Sequence, residues 1–323
     1  MQVWRSLGEV PTPAPGAPGS VVTIGVFDGV HRGHRAVVGR AADVARDRGA
    51  RCVVLTFDPH PMRVVRPEHA PPAITSLDHR VQLLGAAGAD AVLVLPFDRE
   101  TAAQSAGDFV REVLVRRLRA VAVVVGEDFR FGHRAAGDVA LLRRLGEELG
   151  FEVVTVAPVG GRSRWSSTYV RERVAAGDVS AAAEALGHPV RIEGVVVAGD
   201  RRGHGLGYPT ANVPVPDGMV VPADGVYAGW LVRTDADGPV RLPAAVSVGT
   251  NPTFGGTEHR VEAYVLDRDD LELYGVAVAV ELVEHIRGME RFDGVEALVA
   301  RMADDVERAR ELLSQDPAGA TGP

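Results

Sequence analysis

Through the first half of the chain, short Val-rich apolar runs alternate with longer segments of 3.6-residue rhythm. Residues 21–26, 51–57, 91–95, 121–125 and 152–156 are almost unbroken apolar runs. That pattern predicts strands covered on both faces of a parallel sheet. Between them, 33–48 places Val37, Val38, Ala41, Val44 and Ala45 on one stripe, and 105–118 and 138–149 repeat the period. Ser105 and Asp138 stand where N-caps belong. Strand and helix in alternation predict βαβ units and a doubly wound α/β domain.

The pattern changes near Gly187-His188-Pro189. Alternating runs at 193–198, 226–232, 244–248, 260–266 and 276–283 are separated by Gly, Pro and Asp, with no helix-length segment between them. Antiparallel pairing in a small β-barrel follows. A last helix is predicted from Asp293 as N-cap, with Val295, Leu298, Val299, Met302, Val306 and Leu313 on its apolar face. Residues 314–323 read as a disordered tail. The expected division is therefore into domains 1–186 and 187–323.

Composition narrows the chemistry. The 323 residues carry a net charge of −8 and one cysteine, Cys52, so an intrachain disulfide is impossible. Cys52 beside Val53 reads as a small buried hydrophobe. All 35 basic Lys+Arg positions are arginine. A Walker A loop and the usual protein kinase both need a lysine at phosphate, so ATP chemistry here must use amides, histidine, arginine and a metal ion. The acidic balance argues against a nucleic-acid partner. No apolar run reaches membrane-spanning length and no export signal opens the chain, so the expectation is cytoplasmic. Oligomeric state stays open, weak self-association included.

At the end of the first predicted strand stands Gly25-Val26-Phe27-Asp28-Gly29-Val30-His31-Arg32-Gly33-His34. Backbone N–H groups at a strand-to-helix junction are suited to phosphate, and His31 and His34 can donate to phosphate oxygens as charge develops. On its own this string is equally a glycine-rich turn with two solvated histidines. Farther on, Trp165-Ser166-Ser167-Thr168-Tyr169-Val170-Arg171 opens another helix, where its hydroxyls are either phosphate ligands or plain N-caps.

H-x-G-H after the first strand resembles the HIGH-superfamily nucleotidylyltransferases. With Thr56-Phe57-Asp58-Pro59-His60-Pro61, Gly126-Glu127-Asp128-Phe129-Arg130-Phe131-Gly132 and Ser166-Ser167-Thr168 in this order, the first half resembles the adenylylation module of the bacterial bifunctional riboflavin kinase/FAD synthetases. The resemblance implies that His31 and His34 polarise the ATP phosphates, with Gly25, Phe27, Asp28 and Gly29 around them. It implies that Ser167, Thr168 and Arg171 close on the triphosphate. Pro59, His60, Pro61 and Asp128 would border the flavin. Two positions depart from the family pattern: Asp128 stands where Asn is frequent, and Val65 where an aromatic residue can stack on flavin.

The second half opens with a glycine-rich loop, 199–207, followed by Tyr208-Pro209-Thr210-Ala211-Asn212. Its amides can form an anion nest, and Thr210 and Asn212 offer neutral oxygens to a hard cation such as Mg²⁺. Glu262 lies in an alternating strand, as a solvated carboxylate or as a general base. With Ala223-Asp224-Gly225-Val226-Tyr227-Ala228-Gly229, Gly249-Thr250-Asn251-Pro252-Thr253-Phe254-Gly255 and Val261-Glu262-Ala263, the half resembles the riboflavin kinase module of the same family. That implies a six-stranded antiparallel barrel with a C-terminal helix. Gly203, Gly205, Thr210 and Asn212 would hold ATP, with Mg²⁺ on Thr210 and Asn212. Glu262 would take the proton from the ribityl hydroxyl, and Arg287, Arg291 and Phe292 would line the flavin side.

The function so implied is phosphorylation of riboflavin to FMN, releasing ADP, and then adenylylation of FMN to FAD, releasing pyrophosphate. ATP serves as co-substrate with Mg²⁺, and no tightly bound prosthetic group is required. The alternatives to it are a chain with one inactive module and a flavin-binding regulatory protein.

Overall fold

The computed structural model describes residues 1–12, 16–160, 165–198, 207–233, 240–253 and 256–316. The chain separates into two compact units, Met1–Pro71 with Ser76–Ser166, and Pro72–Thr75 with Ser167–Pro323.

The first unit is built on a six-stranded sheet of β1 (Gln2–Trp4), β2 (Ser20–Ile24), β3 (Arg51–Asp58), β4 (Ala91–Pro96), β5 (Ala120–Gly126) and β6 (Glu152–Val156). The order is β1-β4-β3-β2-β5-β6, and every pairing is parallel. Both faces are covered, because successive residues of a strand point to opposite sides. Val21 packs with Ala41 and Val44 of α1 (Arg32–Asp47). Val22, its neighbour, packs with Leu114 and with Leu142 of α6 (Val139–Leu149).

Between β3 and β4 lie α2 (Pro61–Val65) and α3 (Leu77–Ala86). Next come α4 (Arg99–Ala103) and α5 (Ala106–Phe109), the last continuing as a π-helix over Val110–Arg117. Ser105 and Asp138 cap their helices as expected, accepting from the Asp108 and Leu141 N–H groups at 3.1 and 2.8 Å. Chain order reverses at β2, which lies between β3 and β5. In an open α/β sheet, the crevice at the carboxyl ends of such strands is where ligands bind.

The second unit begins with α7 (Ser167–Ala175) and α8 (Val179–Leu186). Six antiparallel strands follow: β7 (Val190–Val195), β8 (Ala211–Pro214), β9 (Gly225–Arg233), β10 (Val240–Thr253), β11 (Gly256–Val265) and β12 (Ala277–Gly288). Their order is β7-β12-β9-β10-β11-β8. The two edges approach where the Val197 N–H donates to the Asn212 carbonyl at 2.9 Å, so the sheet is a nearly closed barrel. Gly194 permits this closure: a Cβ there would stand 2.8 Å from the Val213 side chain.

The barrel carries α9 (Val295–Ser314), whose Ala309 and Leu313 pack against Ala228, Trp230 and Ala279. Three expectations are corrected here. The N-cap is Gly294, not Asp293, because the Gly294 carbonyl accepts the first helical bond, from Leu298 N–H at 3.2 Å. Val295 is 61% exposed, since the first turn of α9 projects beyond the apolar seam. Residues 314–316 are not part of a disordered tail. Ser314 ends the helix, and the Asp316 carboxylate accepts from Trp230 Nε1 at 2.8 Å; residues 317–323 lie outside the described residues.

Candidate active sites

In the first unit, three of the predicted strings sit at carboxyl ends of adjacent strands. The Gly25–His31 turn follows β2, Pro59-His60-Pro61 follows β3, and Glu127–Phe131 follows β5. The turn after β2 is tightly wound. Gly29 has φ +81°, and Phe27 and Val30 have φ of +51° and +39°. Left-handed backbone at such non-glycine residues costs on the order of 1–3 kcal/mol each and persists where the surroundings over-determine it. Phe27 and Val30 are buried, and both pack with Val38, Val54 and Leu84. Gly25 leaves room for this, because a Cβ there would come within 3.0 Å of the Phe27 ring.

His31 is the N-cap of α1 and its Nδ1 accepts from the His34 N–H at 3.3 Å. With Nδ1 accepting, the neutral ring carries its proton on Nε2, which makes that nitrogen a donor. The His34 ring stacks on His31 with centroids 3.6 Å apart and meets Phe27 edge-on at 5.2 Å. The glycine between them eases this packing, since a Cβ at Gly33 would stand 3.0 Å from His31 Cε1 and press on the ring. Helix N-terminal amides and two imidazoles thus converge on one spot, a donor set for an oxyanion.

Trp165 adjoins the same turn, with the Arg32 guanidinium 5.2 Å above its ring. Ser167, Thr168 and Arg171 open α7 in the second unit, where Arg171 Nε donates to the Pro72 carbonyl at 2.7 Å. After β3, His60 caps α2, accepting from Met62 N–H at 3.1 Å, and follows a cis Asp58–Pro59 peptide. Asp128 is exposed. Phe129 stacks on Phe131 with centroids 5.4 Å apart, which stiffens that loop. Val65 is 55% exposed on α2.

In the barrel, Thr210 lies in the wall of two cavities of about 310 and 320 Å³. The first also involves Asn212, Ala263, Arg268 and Leu273. The second involves Glu262, Ser247, Arg287, Phe292 and Met302. Ladder register sets Glu262 opposite both Asn212 of β8 and Ser247 of β10. Asn212 is buried and its Nδ2 donates to the Thr210 carbonyl at 3.4 Å, so its Oδ1 remains an acceptor.

Arg287 holds Asp305 through a bidentate pair, with Nη2 at 2.6 Å and Nε at 2.9 Å, and its guanidinium sits 5.8 Å from the Phe292 ring. These hydrogen bonds push the Arg287 pKa further up. Arg291 is exposed and is absent from the lining of this cavity. Gly203 and Gly205 lie outside the described residues. Among the described residues, no group of three or more His, Cys, Asp or Glu could hold a metal ion.

Known proteins match both halves. A FAD synthetase family model covers residues 15–169 and a riboflavin kinase model covers 186–313. The bifunctional riboflavin kinase/FMN adenylyltransferase of Escherichia coli (strain K12) is 40% identical over 91% of this chain and 93% of its own. That of Pseudomonas fluorescens is 37% identical over 97% of this chain and 98% of its own. The chain belongs to this family. It is a bifunctional enzyme of flavin cofactor synthesis, with a FAD synthetase module followed by a riboflavin kinase module. A solved structure named as a macrolide-efflux protein from Streptococcus pneumoniae also matches, with TM-score 0.84 and 32% identity over 95% of this chain and 98% of that one. That name concerns the other protein; among the described residues here, no helix is long and apolar enough to cross a membrane.

Arg80 escaped the sequence reading. It is 5% exposed on α3, inside the first unit and against the turn that carries the histidines. Its only signal in the sequence is a charge within an amphipathic segment, which ordinarily means a solvated face. Ser247 was missed for a similar reason, because only strand register brings it opposite Glu262.

Proposed function

We propose that the barrel module carries riboflavin and ATP to FMN and ADP, and that the α/β module then joins FMN to the α-phosphate of a second ATP, giving FAD and pyrophosphate. The observation that carries the kinase assignment is Thr210, whose position in the wall of both barrel cavities suits a phosphoryl group passing between two substrates. Asn212 and Thr210 face the nucleotide, and their oxygen donors fit Mg²⁺, which would neutralise phosphate charge when bound. Glu262 accepts the proton of the ribityl hydroxyl as that oxygen attacks the γ-phosphorus. Phe292 and the braced Arg287 form the flavin wall.

In the adenylylation module, His31 and His34 donate to the ATP phosphates as the α-phosphorus is attacked by an FMN phosphate oxygen. Ser167, Thr168 and Arg171 bind the departing pyrophosphate. Pro59, His60, Pro61 and the loop at Asp128 bound the flavin. Neither step calls for a covalent enzyme intermediate, because positioning and charge stabilisation are sufficient for phosphoryl transfer. The functional division is taken as 1–186 for adenylylation and 187–323 for riboflavin phosphorylation. A cytoplasmic location is the matching proposal, with riboflavin, FMN and ATP as the partners.

The direct test is to incubate the purified full chain with riboflavin, ATP and Mg²⁺ and resolve the flavins by chromatography over time. FMN should rise first and FAD follow. Accumulation of FMN with no FAD would assign activity to the barrel alone, and binding of flavin with no turnover would mark a regulator.

A further inference from the structure

The strained turn that presents His31 and His34 is held from below by one arginine. Arg80 projects from α3 with 5% exposure, and its Nη2 lies 3.7 Å from Oδ1 of Asp28, itself 2% exposed. Its Nη1 lies 3.3 Å from the Val26 carbonyl and 3.5 Å from the Phe57 carbonyl. Thr56 Oγ1 donates to the same Val26 carbonyl at 2.9 Å. These acceptors belong to the carboxyl ends of β2 and β3. One guanidinium therefore ties the nucleotide turn to the strand that leads into Pro59-His60-Pro61.

We infer that Arg80 is a positioning residue for adenylylation, one that fixes the distance between the phosphate-binding turn and the flavin-binding segment. The argument is geometric. Phe27 and Val30 occupy backbone conformations that they would leave if released. Asp28, between them in the turn, is 2% exposed, and the Arg80 guanidinium 3.7 Å away brings an opposite charge to it. A long cationic side chain with several N–H donors can meet a carboxylate and two carbonyls together; a guanidinium does so with five donors and an ammonium, less completely, with three. Arg80 contacts the turn and β3, so it acts through the turn. A misplacement of about 1 Å at reacting groups can cost on the order of 10²-fold in rate.

This inference rests on the proposed location of adenylylation at His31 and His34, so the experiment carries its own control. In the full chain, R80Q removes the charge opposite Asp28 and is too short to reach the two carbonyls that Nη1 meets, whereas R80K keeps the charge and most of the reach. For R80Q, kcat for FAD formation from supplied FMN should fall about 10²-fold, with KM values for ATP and FMN changed less than about threefold and riboflavin phosphorylation unchanged. R80K should recover at least about tenfold of that loss. If R80Q melts below the assay temperature, both variants are assayed in sucrose, which favours the folded state, after circular dichroism shows them folded. A folded R80Q with parental kcat, or an R80K as impaired as R80Q, overturns the role of Arg80. Parental FAD formation in the His31→Ala, His34→Ala double variant would instead overturn the site on which the inference is built.

Discussion

Glu262 on β11 stands directly opposite Asn212 on β8 in the antiparallel ladder. Direct partners project to the same face with Cβ atoms about 4.5–5.5 Å apart. The carboxylate proposed as base and the amide proposed for the metal are thus held by backbone hydrogen bonding, not by a mobile loop. E262Q preserves the volume and removes the basicity, so it should depress riboflavin phosphorylation by about 10²–10⁴-fold. FAD formation from supplied FMN should continue at the parental rate. Flavin chromatography with each substrate in turn reads both numbers, and an E262Q enzyme that still makes FMN at a tenth of the parental rate would remove Glu262 as the base.

The histidine pair should give the opposite pattern. His31 and His34 are stacked and share one hydrogen bond, so their losses will not add. Each single alanine variant should slow adenylylation nearly as much as the double variant, while FMN formation persists. Additive effects would mean that the two rings act independently.

Asp128 is the motif position that departs from the family pattern, and it is exposed. The isosteric amide keeps one acceptor oxygen of an exposed carboxylate, and a hydrogen bond lost to a neutral group is worth about 0.5–1.5 kcal/mol. D128N should therefore change FMN affinity by no more than about tenfold and leave riboflavin phosphorylation untouched. A collapse of adenylylation in the folded variant, measured by FMN titration and by rate, would show that the negative charge itself is needed.

The parallel sheet was legible because its strands are covered on both faces and read as continuous apolar runs. Strands β1 and β8 were not, since three or four residues leave no period to detect. Gly294 displaced Asp293 as N-cap because the last helix starts one residue later than capping chemistry alone would choose. The two histidines were visible as a string, yet their stacking and the tautomer of His31 depend on how Gly33 lets the rings approach. Arg80 could not be seen at all. A buried arginine and a solvated one look alike in sequence, and only α3 packing against the turn after β2 separates them.

Cys52 is buried in β3, and burial, with the nearby Asp90 carboxylate, pushes its thiol up to about 12. Because the thiolate is the reactive form, Cys52 should resist a thiol reagent at neutral pH until the first unit opens. Labelling followed by mass spectrometry across a urea series should then track unfolding of that unit alone. Rapid labelling of the native enzyme would contradict the burial.

Tyr227 on β9 is fully buried, and its hydroxyl donates to the Ala223 carbonyl at 2.6 Å. Burial, with the Asp224 carboxylate, holds its phenol up to about 12 from the ordinary 10. The folded chain therefore keeps a proton that the unfolded chain gives up near pH 10. The resulting stabilisation is complete below pH 10 and is lost as pH rises through about 12. Between those values the loss approaches about 1.4 kcal/mol per pH unit. Other groups also titrate in this range, so the useful quantity is the stability difference between the parent and Y227F. Below pH 10 the parent should be the more stable, because Y227F leaves the Ala223 carbonyl without its donor, at a cost of about 1–3 kcal/mol. That advantage should shrink steadily above pH 10 and vanish or reverse near pH 12. Urea unfolding of both proteins across this interval measures it, and a difference independent of pH would mean that the Tyr227 hydroxyl is open to solvent.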